Sequence, residues 1–193
     1  PKLETINTST RVIIIISAAG LCANYVFFSL SLNYLNAETS EAVIQLTTLF
    51  LIFGGVVFYK EQFSGAQKFG TLLIVAGLLL FFNERLGEFK DLDSQQTLGV
   101  FIVFLSAITW TVYSFLQKKL LREFTSPQLL LMMYGFSAVV LFPFVSPKAL
   151  IQLDGFQIFL LSFCCLNTVI AYGCFTEALN CWEASKVSAV LAL

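Results

Sequence analysis

Charged residues stand at intervals along this chain, and between them run long stretches that carry none. Residues 12–37, 42–59, 94–117, 124–147 and 155–176 contain no Asp, Glu, Lys or Arg. A helix rises about 1.5 Å per residue, so about 20 apolar residues cross the hydrocarbon core of a bilayer. Each run is therefore a candidate membrane helix, with 42–59 only just long enough. A sixth, Phe63–Phe82, is interrupted only by Lys68, whose long stem can carry its ammonium group to the interface. The expected spans are 11–35, 40–59, 64–82, 96–118, 126–146 and 156–181. Most connections are tight turns. The longest, 83–95, is polar and charged, and no soluble domain fits anywhere.

Composition agrees with lipid as the solvent. Of 193 residues, 58% are hydrophobic and 12% charged, and mean hydropathy is +0.83. A soluble domain carries about 25% charged residues. The formal net charge of -1 argues against a nucleic-acid partner. His is absent, which removes the commonest general base and metal ligand. The cysteines, Cys22, Cys164, Cys165, Cys174 and Cys181, form no CxxC pair and read as small buried apolar side chains. Neither a metal site nor a cofactor is expected.

Chain direction follows from the basic residues. With alternating spans, Lys2, Arg11, Lys60, Lys68, Lys118, Lys119, Arg122 and Lys186 fall on one side and Arg85, Lys90 and Lys148 on the other, 8 against 3. The N-terminus is expected in the cytoplasm and the loop 84–93 outside. The chain begins at Pro1. Its last apolar stretch, Glu183–Leu193, has 11 residues and reaches only about 16 Å. The expectation is that the natural protein continues and that the chain stops within a helix.

The sequence also repeats itself. Shifted by 147, residues 25–46 match 172–193 at Tyr25/Tyr172, Phe28/Phe175, Leu32/Leu179, Asn33/Asn180, Ala37/Ala184, Ala42/Ala189, Val43/Val190 and Leu46/Leu193, 8 identities in 22. The Tyr and Asn pairs weigh most, because polar residues are scarce here. The shift covers five spans, an odd number, so the mates cross the membrane in opposite senses. Inverted repeats are the symmetry of secondary transporters, in which two halves exchange conformations around a central site.

Particular motifs then resemble a known family. Lys60-Glu61-Gln62-Phe63-Ser64, followed by Gly70-Thr71-Leu72-Leu73-Ile74-Val75-Ala76-Gly77, resembles the end of one repeat in EamA-type members of the drug/metabolite transporter superfamily. There a Gly-Glu-Arg-like turn precedes a helix reading Gly-x-x-Leu-Ile-x-x-Gly. Tyr59-Lys60 stands where that family often has Leu-Gly. The stretch Ala178-Leu179, Ala184-Ser185 to Ala189-Val190 resembles the turn into the following helix, and Trp110, Tyr113 and Gln117-Lys118-Lys119 resemble the first helix of the second repeat. The resemblance implies an all-α, polytopic helical membrane protein, part of a ten-helix bundle of two inverted five-helix repeats. Residues 1–82 would end the first repeat, 83–95 would form an extramembrane loop, and 96–193 would begin the second. It also implies a bacterial inner membrane.

Transport needs polar or aromatic groups at membrane depth to replace water around a solute. Trp110, Tyr113 and Gln117 share one helical face. They read as a cavity wall, or as an interface anchor beside Lys118-Lys119. Asn24 and Tyr25, and Asn167 and Tyr172, lie mid-span. An Asn there must face protein or a cavity, and interhelical bonding serves it equally well. Gln45 and Thr48 face one side of their span, with interhelical bonding the plainer reading. Glu177 is the one acidic residue well inside a span. A charge at the membrane centre costs roughly 2.5–3.5 kcal/mol, so Glu177 is either a proton-coupling group or a paired surface carboxylate. Ala66, Gly70 and Gly77, Gly54-Gly55, and Ala19/Ala23 read as helix contacts.

The function expected is transport of a small metabolite that is neutral, zwitterionic or amphipathic, amino-acid-like or drug-like. The partners are the bilayer and the solute, with a homodimer left open. An organellar nucleotide-sugar or phosphate-exchange carrier would want mid-span Lys or Arg, which are not seen. A non-transporting scaffold would not need a polar-lined cavity. A membrane enzyme would need clustered His, Asp, Glu or Cys, so none is expected.

Overall fold

The computed structural model describes residues 7–84, 94–144, 148 and 151–191, and the side chains of Ala66, Phe81, Phe82, Glu84 and Ser94 are left aside. The described residues form helices joined by short turns. In chain order these are α1 (Thr8–Ser31), α2 (Ala37–Ile44), α3 (Leu46–Tyr59), α4 (Gly65–Glu84), α5 (Ser94–Leu120), α6 (Ser126–Leu141), α7 (Gly155–Cys181) and α8 (Ala184–Leu191). Five rods are long and apolar enough to span a membrane: α1, α2 with α3, α5, α6 with the 3-10 turn at Phe142–Phe144, and α7. The sixth expected span, α4, holds a shorter apolar stretch, Gln67–Leu80. The protein is a polytopic helical membrane protein.

Local chemistry sets the helix ends. The Asn36 side chain accepts from the Thr39 N–H at 2.8 Å and caps α2. Thr125 with Gln128, and Asp154 with Gln157, form capping boxes that start α6 and α7. α3 stops at Lys60, which takes the left-handed conformation (φ 53°, ψ 36°) while its N–H and that of Glu61 turn back onto the Gly55 carbonyl. The expected span 40–59 begins three residues earlier and is broken once, at Gln45, where the Thr48 N–H bonds the Gln45 carbonyl at 3.0 Å in a 3-10 step.

Packing fixes the helix directions. From α1 to α5 and the turn after it the contacts run Thr10–Glu123, Ser17–Tyr113 and Asn24–Ser106, so these helices are antiparallel. From α5 to α7 they run Trp110–Phe175 and Gln117–Thr176, so these are parallel. α1 and α7 therefore cross in opposite senses, as the repeat arithmetic requires. The second mated pair behaves alike: α8 lies antiparallel to α3, with Ser188 Oγ donating to the Thr48 carbonyl at 2.7 Å and Ser185 beside the far end of α3.

The core gathers where α1, α5, α6, α7 and α8 meet, around Leu21, Tyr113, Leu129, Met133 and Leu179. The α1–α5 seam is close because Gly20 faces the Thr109 carbonyl, and a Cβ at Gly20 would stand 3.2 Å from that oxygen. Gly54 lies against the Phe115 ring, as its expected contact role requires. Gly70 and Gly77 differ, since open space faces each of them within the described residues. The cysteines also depart from expectation. Only Cys22 is buried, whereas the other four lie on α7, where every residue from Gly155 to Asn167 is exposed. That surface is almost wholly apolar, with Phe156, Phe159, Phe163 and Leu166 outward, which suits contact with lipid or a further helix but not with water.

Candidate functional site

Between α1, the α2–α3 break, α5 and α7 lies an open cavity of about 320 Å³, within the size range of small-molecule sites. Asn24, Tyr25 and Phe28 line it from α1, and Glu41, Ile44, Gln45, Thr47 and Thr48 from the broken rod. Trp110, Tyr172 and Leu191 complete the wall. The break places the Gln45 and Thr48 side chains at the wall, joined at 3.4 Å between Oγ1 and Oε1. Irregular backbone at membrane depth is tolerated where it lines such a space.

The aromatic wall is mutually braced. The repeat mates Tyr25 and Tyr172 meet at the cavity with ring centroids 6.1 Å apart. Tyr134 of α6 stands edge-on to Tyr172 at 6.0 Å, and its hydroxyl is 3.3 Å from that of Tyr25. Trp110 stacks on Phe175 at 5.2 Å. Each ring is thus held by a neighbour, and little side-chain entropy remains to be lost on binding a solute.

Five of the seven residues expected at the cavity come together there: Asn24, Tyr25, Gln45, Trp110 and Tyr172. Asn24 also serves the plainer role, donating to Ser106 Oγ at 2.8 Å and to the Ser106 carbonyl at 3.1 Å, while Ser106 Oγ donates back to the Asn24 carbonyl. Tyr113 is placed elsewhere. It is fully buried in the core, and no partner bonds its hydroxyl among the described residues. Gln117 donates to Thr176 Oγ1 at 2.9 Å, holding α5 to α7. Asn167 lies on the exposed face of α7, away from the cavity. Glu177 is exposed and accepts from Ser126 Oγ, which ties α7 to the start of α6. Sequence reasoning missed Phe28, Glu41, Thr47 and Tyr134. Glu41 was hidden by its place among the charges that end a span.

A second polar cluster lies at the opposite end of the same helices. The Glu61 carboxylate accepts the Ala184 N–H at 2.7 Å, the Ser185 N–H at 2.9 Å and Lys118 Nζ at 3.1 Å. It thereby caps α8 from a turn more than 120 residues earlier. Lys118 also donates to the Trp182 carbonyl at 2.8 Å and lies 5.6 Å from the Tyr59 ring centroid. Burial acts to raise the Glu61 pKa, but the donors from Ser185, Ala184 and Lys118 outweigh it and hold the carboxyl below its ordinary value. From Thr48 to Glu61 along α3 is about 20 Å. The cluster thus clamps α3, α5 and α8 well away from the cavity. No group of three or more His, Cys, Asp or Glu that could hold a metal occurs among the described residues.

The site is thus a solute-sized cavity between oppositely directed helices of a polytopic helical membrane protein. The chain belongs to the EamA-like transporter family, which it matches over residues 2–83 and 97–193. It is 39% identical over 181 residues to an uncharacterized transporter of Haemophilus influenzae, covering 94% of this chain and 59% of that protein. It is 36% identical over 182 residues to the uncharacterized inner membrane transporter YhbE of Escherichia coli K12, covering 94% and 57%. An uncharacterized transporter of Archaeoglobus fulgidus is 23% identical over 130 residues, covering 67% and 44%. The chain therefore spans less than two thirds of the length of these relatives. No solved structure gives a significant match.

Proposed function

We propose that this chain is part of a secondary carrier that moves a small metabolite across a bacterial inner membrane by alternating access. In this reading the intact protein is a ten-helix bundle of two five-helix repeats. The Lys-rich ends of α3, α5 and α8 face the cytoplasm, and the lipid bilayer and the solute are its partners. The observation that carries it is the cavity flanked by the repeat mates Tyr25 and Tyr172, with the Glu61 clamp about 20 Å away. A carrier must open its site to one side while closing the other. An open cavity at one end and a polar clamp at the other are the two parts this requires. The wall includes Trp110, Tyr172, Tyr25 and Phe28 but no Lys or Arg. A phosphate or nucleotide-sugar group would find no countercharge among them.

The test is solute uptake into proteoliposomes holding the intact protein, with a panel of amino acids, amines, neutral metabolites and organic phosphates. At least one non-phosphate class should move, and Tyr172→Ala should slow it about tenfold or more, the loss expected when a wall ring and its brace are removed. If no class moves above the rate of empty vesicles, the carrier reading fails.

A further inference from the structure

Glu41 is the only charged side chain on the cavity wall as described. It projects from α2, one turn before the break at Gln45, and is exposed. Among the described residues no donor bonds its carboxylate; its backbone carbonyl alone is engaged, by the Gln45 N–H at 3.3 Å. The other carboxylates near helix ends behave differently. Glu61 takes three donors, Glu177 takes Ser126, and Glu183 pairs with Lys186 at 2.8 Å. Glu41 thus presents an uncompensated negative charge to a space walled also by four aromatic rings, by Asn24, Gln45, Thr47 and Thr48, and by Ile44 and Leu191.

An anion on a wall that also carries aromatic rings has a definite chemical preference. The faces of Trp and Tyr attract cations, most strongly where water is excluded, and a carboxylate adds Coulomb attraction and a hydrogen-bond acceptor. The same wall repels anions and offers a neutral solute hydrogen bonds but no ion pair. We infer that the cavity selects solutes bearing a protonated amine, with the ammonium group toward Glu41 and the remaining apolar body against Tyr25, Trp110 and Tyr172. This rests on the carrier reading and narrows it to one substrate class. Glu41 becomes the residue that sets charge preference, and the aromatic wall sets size and shape.

Three size-matched probes test it with the intact protein: 2-phenylethylammonium, neutral 2-phenylethanol and anionic 3-phenylpropionate. Binding is read from quenching of Trp110 fluorescence, in a background where every other Trp of the intact protein is replaced by Phe, and movement from uptake into proteoliposomes. The ammonium probe should bind at least about tenfold more tightly than the alcohol, a gap within reach of one partly desolvated ion pair. Glu41→Gln should abolish that preference, and an unchanged Tm in detergent reports that the variant is folded. Glu41→Asp should keep part of it. If Glu41→Gln leaves the ammonium preference intact, or the carboxylate probe binds as tightly, the inference is overturned. Uptake separates the two levels. Movement of all three probes without charge preference keeps the carrier and removes the role of Glu41. Binding that depends on Glu41 without any movement keeps the role of Glu41 and removes the carrier.

Discussion

At the residue scale, Lys60 and Glu61 carry opposite expectations. Lys60 holds a left-handed conformation that costs a residue with a side chain roughly 1–2 kcal/mol. Lys60→Gly should therefore stabilise the intact protein by about 1 kcal/mol, read as a higher Tm in detergent. Glu61→Gln should do the reverse. It removes the negative charge that pairs with Lys118 and caps α8, at a cost of about 3 kcal/mol for a mostly buried pair. The pH dependence follows in sign. The folded-state pKa of Glu61 lies below the ordinary 4.5, so its contribution is fully present above that value and is lost as pH falls through the lowered one. The Tm of the parent should drop on acidification below about pH 4.5 more steeply than that of Glu61→Gln; parallel curves would remove the assignment. The clamp could not be read from sequence. Glu61 was visible as part of a turn motif, but its partners Lys118, Ala184 and Ser185 lie at separations that only folding brings together.

At the scale of the helix, hydrophobic run length was enough to place the rods, because a charge inside a span is costly and therefore marks its ends. α7 begins one residue from its expected start and ends where expected, and α5 lies within two residues at either end. Periodicity could not say which helix faces which. Trp110, Tyr113 and Gln117 share one face of α5, yet the crossing helices divide that face among the cavity, the core and the α7 seam. The break at Gln45 was equally silent, since no Pro or Gly marks it. Gly54 shows how close the rods come: a Cβ there would run into the Phe115 ring of α5. Gly54→Leu should prise α3 from α5 and cost about 1–3 kcal/mol, measured by thermal unfolding. An unchanged Tm would mean that Phe115 turns aside freely.

For the whole molecule, the opposed directions of α1 and α7 join two motifs into one expectation: the end that is clamped and the end that is open should alternate. Cysteines introduced by Glu61→Cys and Ser185→Cys, in a background without the native thiols, should link when the clamped end is closed. Linked protein should lose most of its uptake in proteoliposomes and recover it on reduction. Full uptake by the linked form would rule the clamp out as a moving part. The repeat and the charge asymmetry were legible because both are written along the chain. The carboxylate on the cavity wall was not, because Glu41 looks like any other charge at the end of a span until the wall around it is assembled.

The seam between Asn24 and Ser106 has a consequence in time. Their bonded groups are 82 residues apart, and a ribosome adds about 5–20 residues per second. Asn24 therefore enters the membrane about 4–16 seconds before its partner exists. During that interval its amide must be held by other groups, such as the insertion machinery or lipid headgroups. Until α5 arrives, the amide of Asn24 lacks the Ser106 partner that it holds in the folded protein.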